Sequence, residues 1–193
     1  MHTSPDNAGW RELTLSIEQV VHAGMRWLPA LTAFSFLPYV ILQGFPDVGW
    51  LDLTLEAVWS ALKWTALGLL VYGASALLHE GIHVFAMFVF AGVPPTSIRF
   101  GFRPKDGVLY VHTDRPMSVR AYRTVLLLPA LLQGILPVAV GSVADLAWIV
   151  LYGYVMLVSA IGDLAVFQLI RPLESDDVVR DHPTGIGCLV RGT

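Results

Sequence analysis

The amino-acid sequence predicts an all-α integral membrane protein of about four transmembrane helices, with a small cytoplasmic β-hairpin between the second and third. Three observations predict it. Of 193 residues, 55% are hydrophobic and only 14% charged, against roughly 25% charged in an ordinary soluble domain, and mean hydropathy is +0.63. Four long stretches are free of charge apart from one central cluster and one aspartate. Basic residues gather in alternate connections, as the positive-inside rule requires of cytoplasmic segments. Such apolar enrichment excludes a disordered chain, and a net charge of -3 with pI near 6.0 argues against a nucleic-acid partner. The lipid bilayer is the partner that composition implies. The length suits one domain, and the single cysteine, Cys188, permits no internal disulfide and reads as an inert thiol.

The first 24 residues are polar and mildly acidic, with only Arg11 as a Lys or Arg side chain. They lack the positive start and early apolar core of a secretory signal, so no cleavage is expected. Trp10, Leu13, Ile17 and Val20 or Val21 recur at helical spacing, which predicts an amphipathic helix at the membrane surface, or equally a soluble helix packed on the domain. Residues 1–24 are therefore set apart as an interfacial segment. After Arg26, Trp27 to Phe45 is uncharged and forms the first span; 19 residues at ~1.5 Å each cross a hydrocarbon core of ~30 Å. Pro46 to Ala61, with Asp47, Asp52 and Glu56 and no Lys or Arg, is an acidic connection. The second span runs from Trp64 to Ala91, apolar apart from His79, Glu80 and His83. Thr124 to Ala144 is the third, with Pro129 and Pro137 inside it, tolerable where neighbouring helices satisfy the freed carbonyls. Leu146 to Ile170 is the fourth, its sole charge Asp163. Residues 25–171 thus make a four-helix membrane domain, and 172–193 a cytoplasmic tail.

Six of the twelve Lys and Arg residues, Arg99, Arg103, Lys105, Arg115, Arg120 and Arg123, lie between the second and third spans, and Arg171, Arg180 and Arg191 follow the fourth. Both segments, and the N-terminus with Arg11 and Arg26, are assigned to the cytoplasm of a multi-pass cell-membrane protein. Trp27 and Tyr122 suit the inner interface as anchors, Trp50 and Trp148 the outer one. Ser97 to Phe102 and Val108 to Thr113 are β-prone runs flanking Arg103-Pro104-Lys105-Asp106-Gly107, a turn signal, which predicts the hairpin.

His79-Glu80-Gly81-Ile82-His83 fits H-E-x-x-H, in which two histidines four apart on one helix face can share Zn²⁺ and the glutamate beside them serves as general base. Away from their ends the four spans contain no acidic, basic or histidine side chains but His79, Glu80, His83 and Asp163, each costly in hydrocarbon unless paired, metal-bound or wetted. The bland reading is a buried hydrogen-bonded knot or a proton path. Depth favours a common site: His83 precedes Ala91, and Asp163 precedes Arg171, by eight residues, roughly 12 Å at ~1.5 Å per residue. A catalytic zinc takes a third protein ligand, for which Asp163 is the candidate. Position 89, where some zincins have a histidine, is Val89, and no glutamate occurs between Glu80 and Glu174. Asp106 is better explained by its turn. His112, on the predicted hairpin, could approach the metal or a substrate oxyanion, or have no special role. Pro129, Gln133, Pro137 and Gly162 could hold open a polar cavity or simply pack helices.

From about Leu77 to Val190 the chain resembles the membrane-embedded putative zincin peptidases, related in plan to the site-2 proteases. The resemblance rests on His79-Glu80-Gly81-Ile82-His83, on Gly107 to Tyr122 ending in Arg115-Pro116-Met117-Ser118-Val119-Arg120-Ala121-Tyr122, on Ile161-Gly162-Asp163-Leu164, and on Asp181-His182-Pro183. It implies a compact helical bundle around zinc, with Asp163 as third ligand and Glu80 as base. In site-2 proteases the ligand aspartate precedes a glycine in an Asn-Pro segment; here Gly162 precedes Asp163 and no such asparagine occurs, so substrate-positioning roles do not carry over. The expected activity is zinc-dependent intramembrane hydrolysis of peptide bonds in a membrane protein or peptide substrate. The rivals are a metal-ion or proton transporter using the same His and Asp groups, weakened by the lack of an internal repeat, and a catalytically inactive membrane scaffold, which would have no need of Glu80.

Overall fold

A computed structural model describes residues 9–45, 54–103 and 108–191. Its elements are β1 (Trp10–Leu15), α1 (Ile17–Gln43), α2 (Leu55–Ala91), β2 (Ile98–Arg103), β3 (Val108–Thr113), β4 (Met117–Ser118), α3 (Val119–Pro129), a π-helical turn (Ala130–Ile135), α4 (Leu136–Val143), α5 (Ala147–Ser159), α6 (Ile161–Leu169), β5 (Val178–Asp181) and β6 (Ile186–Arg191). α1, α2 and the continuous stretch Val119–Val143 are each long and apolar enough to cross a membrane. α5 and α6, bent by 46° at their junction, make a fourth crossing if counted as one broken span. Ile41, Leu70 and Val143 stay more than two-thirds exposed, and apolar faces of this extent suit lipid rather than water.

The helices begin and end where their chemistry directs. Ser16 caps α1 in a reciprocal capping box with Gln19, and Thr54 caps α2 through the Ala57 amide. α2 then runs 37 residues without proline to Gly92, whose left-handed φ of 64° closes it. In the third crossing Pro137 offers no N–H and its ring crowds the preceding turn. The helix widens just before it, with the Leu136 amide bonding the Leu131 carbonyl five residues back. At the α5–α6 break the Ser159 hydroxyl bonds back to the Val155 carbonyl at 3.0 Å, a pattern that bends helices.

Two antiparallel sheets correct the all-α expectation. β2 and β3 form the predicted hairpin, Ile98 opposite Thr113 and Arg103 opposite Val108; its turn, with Asp106, lies outside the described residues, as do residues 46–53 of the acidic connection, Trp50 among them. The second sheet was not anticipated: four strands in the order β1-β6-β5-β4. Trp10 to Leu15 is therefore a strand rather than the start of an amphipathic helix, paired with β6 from Trp10 opposite Arg191 to Leu15 opposite Ile186. A partner strand reached only through tertiary folding overrides the helical spacing of Trp10, Leu13 and Ile17. Residues beyond 172 are likewise no loose tail, for β5 and β6 supply the sheet's middle. Sheet and helices share one core, in which Met87, Tyr122, Val125, Val166 and Ile170 meet Val179, Cys188 and Val190. Cys188 is fully buried there, and burial pushes its thiol up to about 12, so it behaves as an inert apolar filler. A smaller cluster of Ala130, Val138, Leu157 and Ala160 packs the helices further along.

Candidate metal centre

His79 and His83 lie one turn apart on α2, both buried, with ring centroids 4.9 Å apart and edge-to-face. The spacing that puts them on one face is the i, i+4 periodicity of a straight helix, and no proline interrupts α2. Asp163 comes from the first turn of α6, where the helix N-terminus favours a carboxylate. Its Oδ2 lies 3.0 Å from His79 Nε2 and 3.5 Å from His83 Nε2. One ligand atom from each of the three side chains falls within 4.8 Å of the others, so the group is able to hold a metal ion. The depth argument thus pairs residues that the fold does bring together.

The donor chemistry fits a divalent cation. His83 Nδ1 is 2.9 Å from the Val125 carbonyl; a carbonyl only accepts, so Nδ1 carries a proton, and in the neutral ring Nε2 is left with its lone pair toward Asp163. A lone pair and a carboxylate oxygen facing each other at 3.5 Å are reconciled by a shared cation or proton. Two imidazoles and a carboxylate, one imidazole oriented by a backbone carbonyl, are the ligand types and second layer of support that zinc sites use. Val125 could not have been found from sequence, because a backbone carbonyl leaves no residue signature.

Glu80, half-buried, shares a cavity of about 1030 Å³ with the three side chains, and the Val111 backbone amide of β3 faces its carboxylate. The cavity runs between α1, at Gly24 and Met25, and α2, at Tyr72 and Ala76, and is walled on another side by Leu109 to His112. His112 lines it but lies outside the ligand group among the described residues. Of the residues expected to hold open a polar cavity, Gly162 lines this one, whereas Pro129, Gln133 and Pro137 do not. Gln133 is instead buried against α2, its Nε2 donating to the Ser75 carbonyl at 3.0 Å, one turn before His79. It braces the histidine helix. Asp181, from the segment expected to be a tail, also lines the cavity.

The family profile described as Putative zincin peptidase matches residues 73–176, more than half of the chain, from the middle of α2 to beyond α6. The match takes in His79, Glu80, His83 and Asp163 alike. No curated protein and no solved structure matches.

Proposed function

Because the chain belongs to the putative zincin peptidase family, we propose that it is a zinc-dependent endopeptidase that hydrolyses peptide bonds of membrane-protein substrates within the bilayer of the cell membrane. The observation that carries the reading is the convergence of His79, His83 and Asp163, from two candidate membrane-crossing helices, beside Glu80. His79, His83 and Asp163 would hold the metal, with Val125 and α6 fixing their orientation. Zinc bound there would supply a Lewis acid for the scissile carbonyl and lower the pKa of a water toward roughly 7. Glu80 accepts a proton from the attacking water at its carboxylate and delivers it to the leaving amide nitrogen.

The cavity between α1 and α2 gives an extended segment a way to these groups from the side of the helices. β3 offers its edge to such a segment as an added strand, backbone to backbone. His112, on the same strand, suits a hydrogen bond to the substrate's carbonyl oxygen or oxyanion. The Lys and Arg distribution supports a topology with both termini in the cytoplasm, the hairpin and sheet then lying at the cytoplasmic end.

Purified protein incubated with a membrane substrate should cleave it. Glu80→Gln should retain stoichiometric zinc and lose activity by about 10²-fold or more, the usual contribution of a general base. Wild-type activity in that variant would end the proposal. Metal flux into proteoliposomes that survives Glu80→Gln would favour a transporter instead.

A further inference from the structure

The family match ends at residue 176, yet the next strand sends a carboxylate into the cavity. Asp181 is the last residue of β5, and its Oδ2 accepts the Thr113 backbone N–H at 3.0 Å. The Tyr122 hydroxyl is a second donor directed at the same carboxylate. Burial raises the carboxyl above its usual range while the Thr113 N–H opposes that rise. A carboxylate is costly to bury and is retained where several donors converge on it.

The two donors belong to the two parts of the site that must be kept in register. Thr113 and Val111 are two apart on β3, so their N–H groups leave the strand on the same side. The Val111 amide faces Glu80, and the Thr113 amide is held by Asp181. Leu109, the next residue in that series, lines the cavity. Tyr122, the other donor, lies on α3 three residues before Val125, whose carbonyl orients His83. One carboxylate therefore ties the edge of β3 that lines the cavity to the helix that supports a metal ligand.

We infer that Asp181 is a positioning residue of the peptidase site: by clasping the Thr113 amide and the Tyr122 hydroxyl together, it fixes the β3 edge relative to Glu80 and the metal-ligand group, so that a substrate strand on that edge is held in register for attack. The inference rests on the peptidase reading and adds the C-terminal strands to the machinery.

The test uses the full chain in detergent micelles, comparing wild type with Asp181→Ala and Asp181→Asn. Four quantities are read: zinc content, kcat and KM on a membrane substrate, and hydrogen exchange of the segment 108–115. Losing a charged hydrogen-bond acceptor is worth about 10-fold or more. Asp181→Ala should therefore keep its zinc, show exchange at the Thr113 amide faster by about that factor, and lose a comparable factor in kcat. Asp181→Asn, which still offers an oxygen to the same N–H, should restore the protection and most of the kcat. Unchanged exchange and kcat in Asp181→Ala would overturn the inference. So would loss of zinc together with general loosening, which would make Asp181 a support of the fold alone. An Asn variant as impaired as the Ala variant would overturn it as well. A wild-type protein that neither binds zinc nor cleaves would count against the peptidase reading; the exchange comparison needs neither metal nor substrate and would still decide whether Asp181 holds the β3 edge.

Discussion

Asp163 meets two imidazoles with a single oxygen at 3.0 and 3.5 Å, and a ligand set of this kind should make stability depend on metal. An ion that binds only the folded chain stabilises it by about 2.7 kcal/mol at a free concentration 100 times its Kd. Stripping zinc with a chelator should therefore lower the thermal midpoint of the wild type, and readdition should restore it. Asp163→Ala should show neither change, and a chelator effect that persists in that variant would place the ion elsewhere. His79, Glu80 and His83 were legible in the sequence because their relation is local, one helical turn set by backbone geometry. Asp163 was legible more weakly, through its depth in the fourth span. Asp181 could be noticed in Asp181-His182-Pro183 but not assigned, since the amide it holds is 68 residues away. Nothing in the local pattern points there.

Among the elements, the packing of α5 on the Val119–Val143 stretch is sharply constrained. A Cβ at Gly153 would lie 2.7 Å from the Gly134 carbonyl oxygen and 2.9 Å from the Val138 backbone nitrogen. Both obstacles are backbone, so no rotamer change relieves them, and such small-residue contacts are how membrane helices approach closely. Gly153→Ala should cost about 1–3 kcal/mol, the range for overpacking a filled interface. Gly68→Ala on α2, where a Cβ meets nothing within 4 Å, should be neutral or slightly stabilising. Thermal exposure of Cys188 to a thiol-reactive dye measures both, because this buried cysteine is the chain's only one. The spans were readable as elements because summed hydropathy needs no knowledge of partners. The start of α1 at Ile17 was not read from the sequence, because the apolar spacing from Trp10 onward pointed to a helix that began earlier. The bend at Ala160 has no proline to announce it. It matters because Asp163 enters on the far side of that bend.

At the scale of the molecule, β1, β4, β5 and β6 make one sheet packed on the helices, so residues 10–15 and 178–191 hold the site's end of the fold together. Removing residues 178–193 would take Val179, Cys188 and Val190 out of the shared core and leave β1 without its partner β6. The truncated protein should extract into detergent but lose resistance to proteolysis within α3 and α6, the helices that pack on the sheet. A truncation as protease-resistant as the intact chain would show that the helical part stands alone. By itself the sequence determined that there are helices long and apolar enough to cross a membrane, the hairpin and the paired histidines, each a property of composition or of residues within a few positions of one another. Only the tertiary structure decided that residues 10–15 are a strand, that α6 turns Asp163 toward α2, and that Asp181 reaches the edge of β3. The reason is that periodicity specifies which face of an element is buried, whereas the partner that covers it is selected by the packing of the whole chain.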